Sequence, residues 1–247
     1  MNQPNTSSTP FIIEVVASTL DSCMAAERGG AGRIELCAAL ATAGVTPSTG
    51  LLQHIKAHVQ IPVFVMIRPR EGDFCYTPKE LDLMFLEMDN LLEAGADGFV
   101  FGALLSDGRI DSATTKQLVN RAQGKDCTFH RAIDCSSNPV DGVHAVADTG
   151  CSRILTSGGA SSGPEGMSTI LRMVEAAHGK LDIMPGGGIR VDTFKQVLHP
   201  AIHNYHLSGR VTSTSSFAHH LFEMDRMETS EESIRTVVQE AYDFFSI

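Results

Sequence analysis

Residues 128–134 read Thr-Phe-His-Arg-Ala-Ile-Asp, an apolar start that ends in three ionisable side chains. A strand interior is a poor place for such groups, because buried charges without partners are costly. The carboxyl end of a strand in a parallel barrel suits them better, since it opens onto the active-site cleft. We therefore predict a strand over residues 127–133, on which alternation places His130 and Asp134 on one face. Arg131 would reach the same cleft from the strand end. A structural salt bridge at a strand end is the alternative interpretation.

The same kind of apolar, β-branched run recurs eight times, and each run is followed by a helix-like pattern. The predicted strands cover residues 11–17, 33–39, 63–68, 98–104, 127–133, 153–157, 182–185 and 204–208. The predicted helices cover residues 20–28, 46–59, 78–93, 111–122, 139–149, 167–177, 191–198 and 231–245.

Strands that alternate with helices indicate a parallel sheet. Eight such units in 247 residues fit a single α/β domain, a (β/α)8 TIM barrel. An open doubly wound sheet is the rival, but the first turn carries no dinucleotide-binding glycine fingerprint. We predict one barrel domain over residues 11–247, preceded by a flexible, polar tail over residues 1–10.

The overall composition narrows the function classes. A net charge of −10 disfavours a general surface for nucleic acid or for an anionic membrane. No apolar run reaches the roughly 18 residues of a membrane span, and the first ten residues lack the basic start and apolar stretch of a secretory signal. None of the six cysteines forms a Cys-x-x-Cys pair, so reduced thiols in a cytosol fit best.

Two carboxylates interrupt apolar strands that are neighbours in the predicted barrel. Glu14 lies within Phe-Ile-Ile-Glu-Val-Val and Glu35 within Ile-Glu-Leu-Cys. Two close carboxylates push their pKa values apart, which suits general acid–base work, and their oxygens could also hold a hard metal ion. A fixed charge network with Arg68 and Arg131 is the alternative.

A second group of candidate residues follows the last strands. Gly186, Gly187 and Gly188 come after the seventh strand, where barrels often bind phosphate through backbone N–H groups. A tight turn is the alternative. Ser157, His206 and Ser208 end the sixth and eighth strands and complete the predicted binding set. We expect four arginines to converge near the glycines, namely Arg68, Arg70, Arg131 and Arg210.

Sulfur ligands form the third group. Cys37, Cys75 and Cys135 could lie near the mouth of the barrel with Met66 and Met184, and soft sulfur ligands suit Cu(I). Most free cysteines are small buried hydrophobes, so a structural role is the alternative.

At these motifs the chain resembles the CutC family of copper homeostasis barrels. The matching stretches, in order, are Glu-Arg-Gly-Gly-Ala (27–31), Arg-Ile-Glu-Leu-Cys (33–37), Thr-Pro-Ser (46–48), Ile-Arg-Pro-Arg (67–70), Gly-Asp-Phe-Cys-Tyr (72–76), Thr-Phe-His-Arg-Ala (128–132), Leu-Thr-Ser-Gly (155–158) and Met-Pro-Gly-Gly-Gly-Ile (184–189). The resemblance implies a cytoplasmic TIM barrel that forms a dimer or tetramer, is linked to copper tolerance and is proposed to bind Cu(I).

One departure from the family bears on copper. Members often carry cysteine just after the first strand's Glu-Val, where this chain has Val16. A thiolate pair between that position and Cys37 is therefore impossible, and a Cu(I) site must recruit Cys75, Cys135, a methionine or a histidine.

Three functional hypotheses follow. The first is a copper-binding homeostasis protein with Cys37 and Cys75 as metal ligands. The second is a lyase or isomerase for a small anionic or phosphorylated metabolite, in which carboxylates and imidazole move protons and arginines clamp the anion. Its proton-moving residues would be Glu14, Glu35 and His130, its clamp Arg68 and Arg131, and its orienting residue Asp134. The third is an interaction scaffold.

Overall fold

A computed structural model describes residues 10–213 and 226–246 of the chain. Within them, eight parallel strands, β1 to β8, form one sheet. Their bounds are Ile12–Ala17, Arg33–Leu36, Val63–Met66, Gly98–Phe101, Asp126–Phe129, Arg153–Thr156, Asp182–Pro185 and Asn204–Leu207. A separate antiparallel pair follows, β9 (Arg210–Ser213) and β10 (Arg226–Thr229).

Strand pairing runs in the order β7-β6-β5-β4-β3-β2-β1-β8. The amide of Asn204 on β8 donates to the carboxylate of Asp182 on β7 at 3.1 Å, which brings the two end strands together. The eight strands therefore form a nearly closed barrel, and the predicted TIM-barrel fold is confirmed. The register sets Glu14 on β1 beside Arg33 on β2 and beside His206 on β8.

Seven α-helices, α1 to α7, surround the strands in the described part of the chain. Their bounds are Leu20–Arg28, Thr49–Lys56, Pro78–Glu93, Ser112–Arg121, Pro139–Ala147, Met167–Ala177 and Glu231–Phe245. Short 3-10 helices cover Leu40–Thr42, Arg131–Cys135 and Phe194–Gln196. The predicted helix over residues 191–198 is therefore wrong in extent, since only one short turn forms there.

Side-chain caps explain where the helices begin. The side chains of Thr19 and Ser48 accept from backbone N–H groups in the first turns of α1 and α2. Thr77 and Glu80 form a capping box at the start of α3, in which the N–H of Thr77 donates to Glu80 at 2.7 Å. Pro78 occupies the first turn, where its missing N–H has no cost.

The predicted fifth strand is too long. β5 ends at Phe129, and Arg131–Cys135 forms a 3-10 helix. His130 starts that turn, because its Nδ1 accepts the N–H of Ala132 at 3.2 Å. Asp134 is therefore not on the strand, and its position is fixed by hydrogen bonds to Thr156, Ser157 and Gly159. The predicted second and third strands are also too long, because apolar residues such as Cys37 and Ile67 follow the strand ends. These residues are fully buried although they lie in loops.

Inside the barrel, buried charged residues such as Glu14 and Arg33 lie beside a small apolar cluster that includes Phe64, Met66 and Val100. The layer between strands and helices is apolar. Buried Arg33 and Arg153 place their guanidinium carbons 5.0 and 5.3 Å from the ring centre of Phe64. The predicted tail over residues 1–10 lies, apart from Pro10, outside the described residues. In the described residues, each helix falls short of the length and apolarity that a membrane span requires.

Candidate active site at the carboxyl ends of the strands

A cavity of about 540 Å³ opens at the carboxyl ends of the strands. Ten predicted site residues line it, namely Glu35, Cys37, Arg68, His130, Arg131, Asp134, Gly187, Gly188, His206 and Ser208. Four predicted site residues are not part of its lining, namely Glu14, Ser157, Gly186 and Cys75.

The floor of the cavity is a buried charge network. His206 Nδ1 lies 2.7 Å from Glu14 Oε1 and 3.9 Å from Glu35 Oε2. Arg33 donates its Nε to the other oxygen of Glu14 and an Nη to the thioether of Met184 at 3.5 Å. Glu14 is not part of the cavity lining, and it contacts the lining residue His206.

These contacts separate the pKa values of the two glutamates. Burial alone would raise the pKa of Glu14, but Arg33 and His206 outweigh burial and hold it far below its usual value. Burial, reinforced by the charge of Glu14, raises the pKa of Glu35 to about 7. Burial opposes protonation of His206, yet the carboxylates of Glu35 and Glu14 raise its pKa. The floor therefore holds one permanent anion and one carboxyl that titrates near neutral pH.

Glu14, Glu35 and His206 offer ligand atoms within 4.8 Å of one another, which is a spacing that a metal ion could use. Both oxygens of Glu14, however, are already bonded, one to Arg33 and one to His206. The three side chains are therefore held together by their own ion pairs.

His130 forms a wall of the cavity and is held as a neutral imidazole. Its Nδ1 accepts the N–H of Ala132, so the proton of the neutral ring is on Nε2. Burial, and then the charge of Arg68, lowers the pKa of His130 to about 3. The ring packs 4.9 Å from that of Phe74, and a Cβ at Gly102 would lie 2.6 Å from Nδ1, so only glycine fits beneath it.

Arg68 organises two loops around the cavity. Its Nη1 donates to the carbonyls of Thr42 and Gly44 at 3.0 and 2.9 Å, and its Nη2 donates to Gly72 at 2.8 Å. Its guanidinium also lies 5.0 Å from the ring centre of Phe74. Three of its five N–H groups therefore bind backbone carbonyls, which leaves Nε–H and one N–H of Nη2. The predicted bidentate clamp on an anion stays a prediction.

Asp134 ties the 3-10 helix to the loop after β6. Its carboxylate accepts the hydroxyl of Thr156 at 2.5 Å and the N–H groups of Ser157 and Gly159 at 2.9 and 3.0 Å. It also accepts Nε of Arg131 at 2.8 Å, while an Nη of Arg131 donates to Ser157 Oγ at 2.8 Å. Asp134 and Ser157 therefore position Arg131, whose side chain stays 42% exposed at the rim.

The triple glycine is required by close packing. A Cβ at Gly186 would lie 2.3 Å from Leu155, and its N–H donates to a carbonyl of β6, so Gly186 is structural. Gly187 and Gly188 have φ of +78° and +67°, which favour glycine. A Cβ at Gly187 would also lie 2.7 Å from a terminal nitrogen of Arg131, so glycine brings that cation against the backbone.

The predicted convergence of arginines is wrong for Arg70. Its guanidinium pairs with Glu80 at 2.5 Å and with Asp73 at 3.0 Å, and it does not line the cavity. Arg210 does line it, together with Arg190, which the sequence did not suggest.

Sequence reasoning also missed Arg33 and Arg153. Period-two alternation on β2 places Arg33 on the same face as Glu35, and that signal was available. Arg153 bonds Thr128 at 3.2 Å inside the barrel, but the residue two positions on is Leu155, so alternation gave no comparable signal.

The sulfur ligands are only partly brought together. Cys37 is fully buried with Met66 and Val16 in one small cluster beside the cavity. A Cβ at Gly44 would meet Cys37 Sγ at 3.1 Å and the methyl of Met66 at 3.7 Å, so these two sulfur residues are neighbours. Cys75 is exposed and absent from the lining, so the predicted ligand pair with Cys37 is not formed. Burial, and then Glu35, raises the pKa of the Cys37 thiol.

Residues 11–211 match the model of the CutC family. The chain is 44% identical over 206 residues to a human protein named copper homeostasis protein cutC homolog, covering 83% of this chain and 76% of that protein. It is 44% identical over 189 residues to a CutC family protein of Agrobacterium fabrum, covering 76% and 75%.

Solved structures show the same likeness. A crystal structure described as a copper homeostasis protein CutC from Streptococcus agalactiae superimposes with a TM-score of 0.74 at 30% identity, covering 79% of this chain and 97% of that one. Thiamine phosphate pyrophosphorylase of Pyrococcus furiosus shares the fold alone, with a TM-score of 0.62 at 13% identity over 95% of this chain and 97% of that one.

Proposed function

This chain belongs to the CutC family, and from that premise we propose that its cavity binds a small anionic metabolite and moves a proton on it, as a lyase or isomerase does. Two relatives carry the name copper homeostasis protein cutC homolog, so Cu(I) binding is a second candidate function.

The observation that carries this proposal is a set of buried polar atoms without hydrogen-bond partners, on side chains that line the cavity. Within the described residues, four such atoms on cavity-lining side chains have no hydrogen-bond partner, namely Glu35 Oε2, Arg68 Nε, His130 Nε2 and Arg210 Nε. Buried polar groups are normally satisfied, because an unmade hydrogen bond costs about 1–3 kcal/mol. Three donors and one titratable carboxyl in one cavity suit an anionic ligand that undergoes acid–base chemistry.

The charges at the rim agree with an anionic ligand. Arg131 and Arg210 line the opening, and Arg131 lies against the backbone of Gly187. Glu14, the strongest anion of the floor, is already paired with Arg33. A phosphate or carboxylate would therefore meet two guanidinium groups at the opening, of which Arg131 is already paired with Asp134.

Anion binding is tested by thermal shift and calorimetry with inorganic phosphate, dihydroxyacetone phosphate and malate. A ligand at about 100 times its Kd would stabilise the protein by about 2.7 kcal/mol. Arg210→Ala should weaken binding at least about tenfold, because it removes a charge-assisted hydrogen bond. Arg210 is preferable to Arg68, whose loss would also free two loops.

Arg28→Ala is the matched control, because Arg28 pairs with Glu231 outside the cavity. It should leave anion binding unchanged. If none of the anions stabilises the protein, or if Arg210→Ala responds like the wild type, the proposal fails.

Copper binding is a second candidate because Cys37 and Met66 are adjacent. Two soft donors beside a cavity suit Cu(I), but valine at position 16 removes a thiol and the Cys37 thiol resists ionisation. We expect weak, substoichiometric Cu(I) binding in an anaerobic titration against a chromogenic chelator. Cys37→Ser should abolish it, and Cys75→Ser should not. Tight one-to-one binding that survives Cys37→Ser would show that other ligands hold the metal.

Two expectations from the family resemblance remain part of the proposal. A cytoplasmic location accords with six free cysteines in the sequence. Assembly into a dimer or tetramer would be measured by light scattering.

A further inference from the structure

The chemistry of the cavity narrows the reaction class further, provided that the proposed anion site exists. We infer that neutral His130 donates its Nε2–H to a carbonyl oxygen of the bound anion while Glu35 removes a proton from the adjacent carbon. The substrate would then be a phosphorylated or carboxylated carbonyl compound that passes through an enolate.

His130 is built as a donor and not as a base. Its Nδ1 is occupied by the N–H of Ala132 at 3.2 Å, which leaves Nε2–H as its free group. That atom is buried and has no hydrogen-bond partner in the described part of the chain, and His130 is part of the cavity lining. An imidazole that protonates only near pH 3 is too weak a base to remove a C–H proton at neutral pH. A fixed neutral donor instead suits the oxygen on which negative charge develops.

The surroundings of His130 keep it in that state. Phe74 packs on its ring at 4.9 Å, Phe129 approaches it edge-on at 6.2 Å, and Gly102 lies beneath it. Arg68 opposes a second proton on the ring more strongly than Asp134 favours it. The donor is therefore oriented before any ligand binds, which lowers the cost of reorganisation.

Glu35 is the complementary base. Its Oε2 is buried and accepts no hydrogen bond from the described residues, although His206 Nδ1 lies 3.9 Å away, and Glu35 is part of the cavity lining. A buried carboxylate oxygen that accepts no hydrogen bond in the described part of the chain is a group that can take a proton from a bound substrate. Glu14, already paired with Arg33, cannot share this role.

The step balances without an oxidant or reductant. Glu35 takes the proton, and the electron pair of the C–H bond forms a carbon–carbon double bond. The carbonyl π pair moves onto oxygen, where Nε2–H of His130 stabilises it. In D2O the proton on Glu35 exchanges with a solvent deuteron, and return of that deuteron to the same carbon restores the substrate with deuterium in place of hydrogen.

Proton NMR in D2O tests this step with dihydroxyacetone phosphate, ribulose 5-phosphate and pyruvate as probes. The wild type should exchange the α-hydrogens of at least one probe. Glu35→Gln should slow exchange at least about 100-fold, and His130→Phe should slow it about 100- to 1,000-fold. His130→Gln keeps an N–H donor and should recover part of the rate. His144→Gln, on the outer helix α5, should exchange like the wild type.

Calorimetry on the same samples separates the two proposals. A probe that binds the wild type but exchanges no faster than with Glu35→Gln overturns the enolate step and leaves anion binding intact. Unchanged exchange in His130→Phe overturns the role of His130. If no probe binds, the anion site and the enolate step both fail.

The state of His130 is also measurable without any ligand. Nitrogen-15 NMR of the imidazole should show the neutral Nε2–H tautomer throughout pH 5–8. A ring that carries both protons in that range would overturn the inference.

Discussion

Glu14 and Glu35 are the same residue type on neighbouring strands, yet their ionisation is opposite. Arg33 and His206 bond Glu14 and keep it charged. One oxygen of Glu35 accepts no hydrogen bond, and burial is the largest influence on its pKa. The difference comes from partners, since both side chains are buried. This is the pattern in which one carboxylate orients charge and the other exchanges protons.

The first prediction concerns stability and pH. The pKa of Glu35 rises from 4.5 to about 7 on folding, so between these values the folded protein holds a proton that the unfolded chain lacks. Its contribution to stability is fully present below about pH 4.5 and is lost as pH rises through about 7, by at most about 3 kcal/mol.

Urea unfolding of the wild type and Glu35→Gln from pH 5 to 8 measures this contribution. The wild type should lose stability relative to the variant as pH rises. Glu14 has the opposite sign, because its contribution is lost only as pH falls below 4.5, outside the measured range. Parallel stability curves for the two proteins would show that Glu35 is already ionised in the fold.

A second prediction concerns the glycine beneath His130. In Gly102→Ala the new Cβ would lie 2.6 Å from Nδ1 and 3.1 Å from the Cβ of Ala132, so the ring must shift. We expect a loss of about 1–3 kcal/mol in unfolding free energy and a changed His130 signal in the NMR spectrum. Gly50→Ala is the control, because no atom lies within 4 Å of that position on α2. A Gly102→Ala protein as stable as wild type would contradict the packing described here.

At the scale of elements, the sequence predicted regular structure well and strand ends poorly. Helices α1, α3, α6 and α7 have the predicted bounds, because caps and apolar spacing are local signals. The turn over Arg131–Cys135 was not predictable, since Asp134 is held by hydrogen bonds from the loop after β6, more than 20 residues away in the sequence. Contacts between distant segments leave no local pattern.

The third prediction concerns this junction. Asp134→Asn removes the charge that accepts Arg131 and the N–H groups of Ser157 and Gly159. We expect a loss of about 1–3 kcal/mol in unfolding free energy, and weaker anion binding because Arg131 is no longer held at the rim. Both are measured on one sample by urea unfolding and calorimetry.

Asp107→Asn provides the comparison, because Asp107 forms an exposed pair with Arg109 and such pairs contribute about 0–1 kcal/mol. If the two variants were equally stable and bound anions equally well, Asp134 would have no positioning role.

At the scale of the molecule, the overall charge is negative, whereas the cavity is lined by several arginines. The chain carries a net charge of −10, yet Arg68, Arg131, Arg190 and Arg210 line one cavity. Net charge describes the average surface, and only the barrel topology brings residues from distant parts of the sequence to one opening. Most of the lining residues were predicted from the sequence. The ion pair of Arg70 with Glu80, which keeps Arg70 out of the lining, was not.

The most direct test of the central claim is the electron density in the cavity of protein crystallised with dihydroxyacetone phosphate. The phosphate should lie against Arg131 and Arg210 near Gly187, with the carbonyl oxygen within hydrogen-bond distance of His130 Nε2. A cavity that holds only water, with the compound bound elsewhere on the surface, would contradict the account.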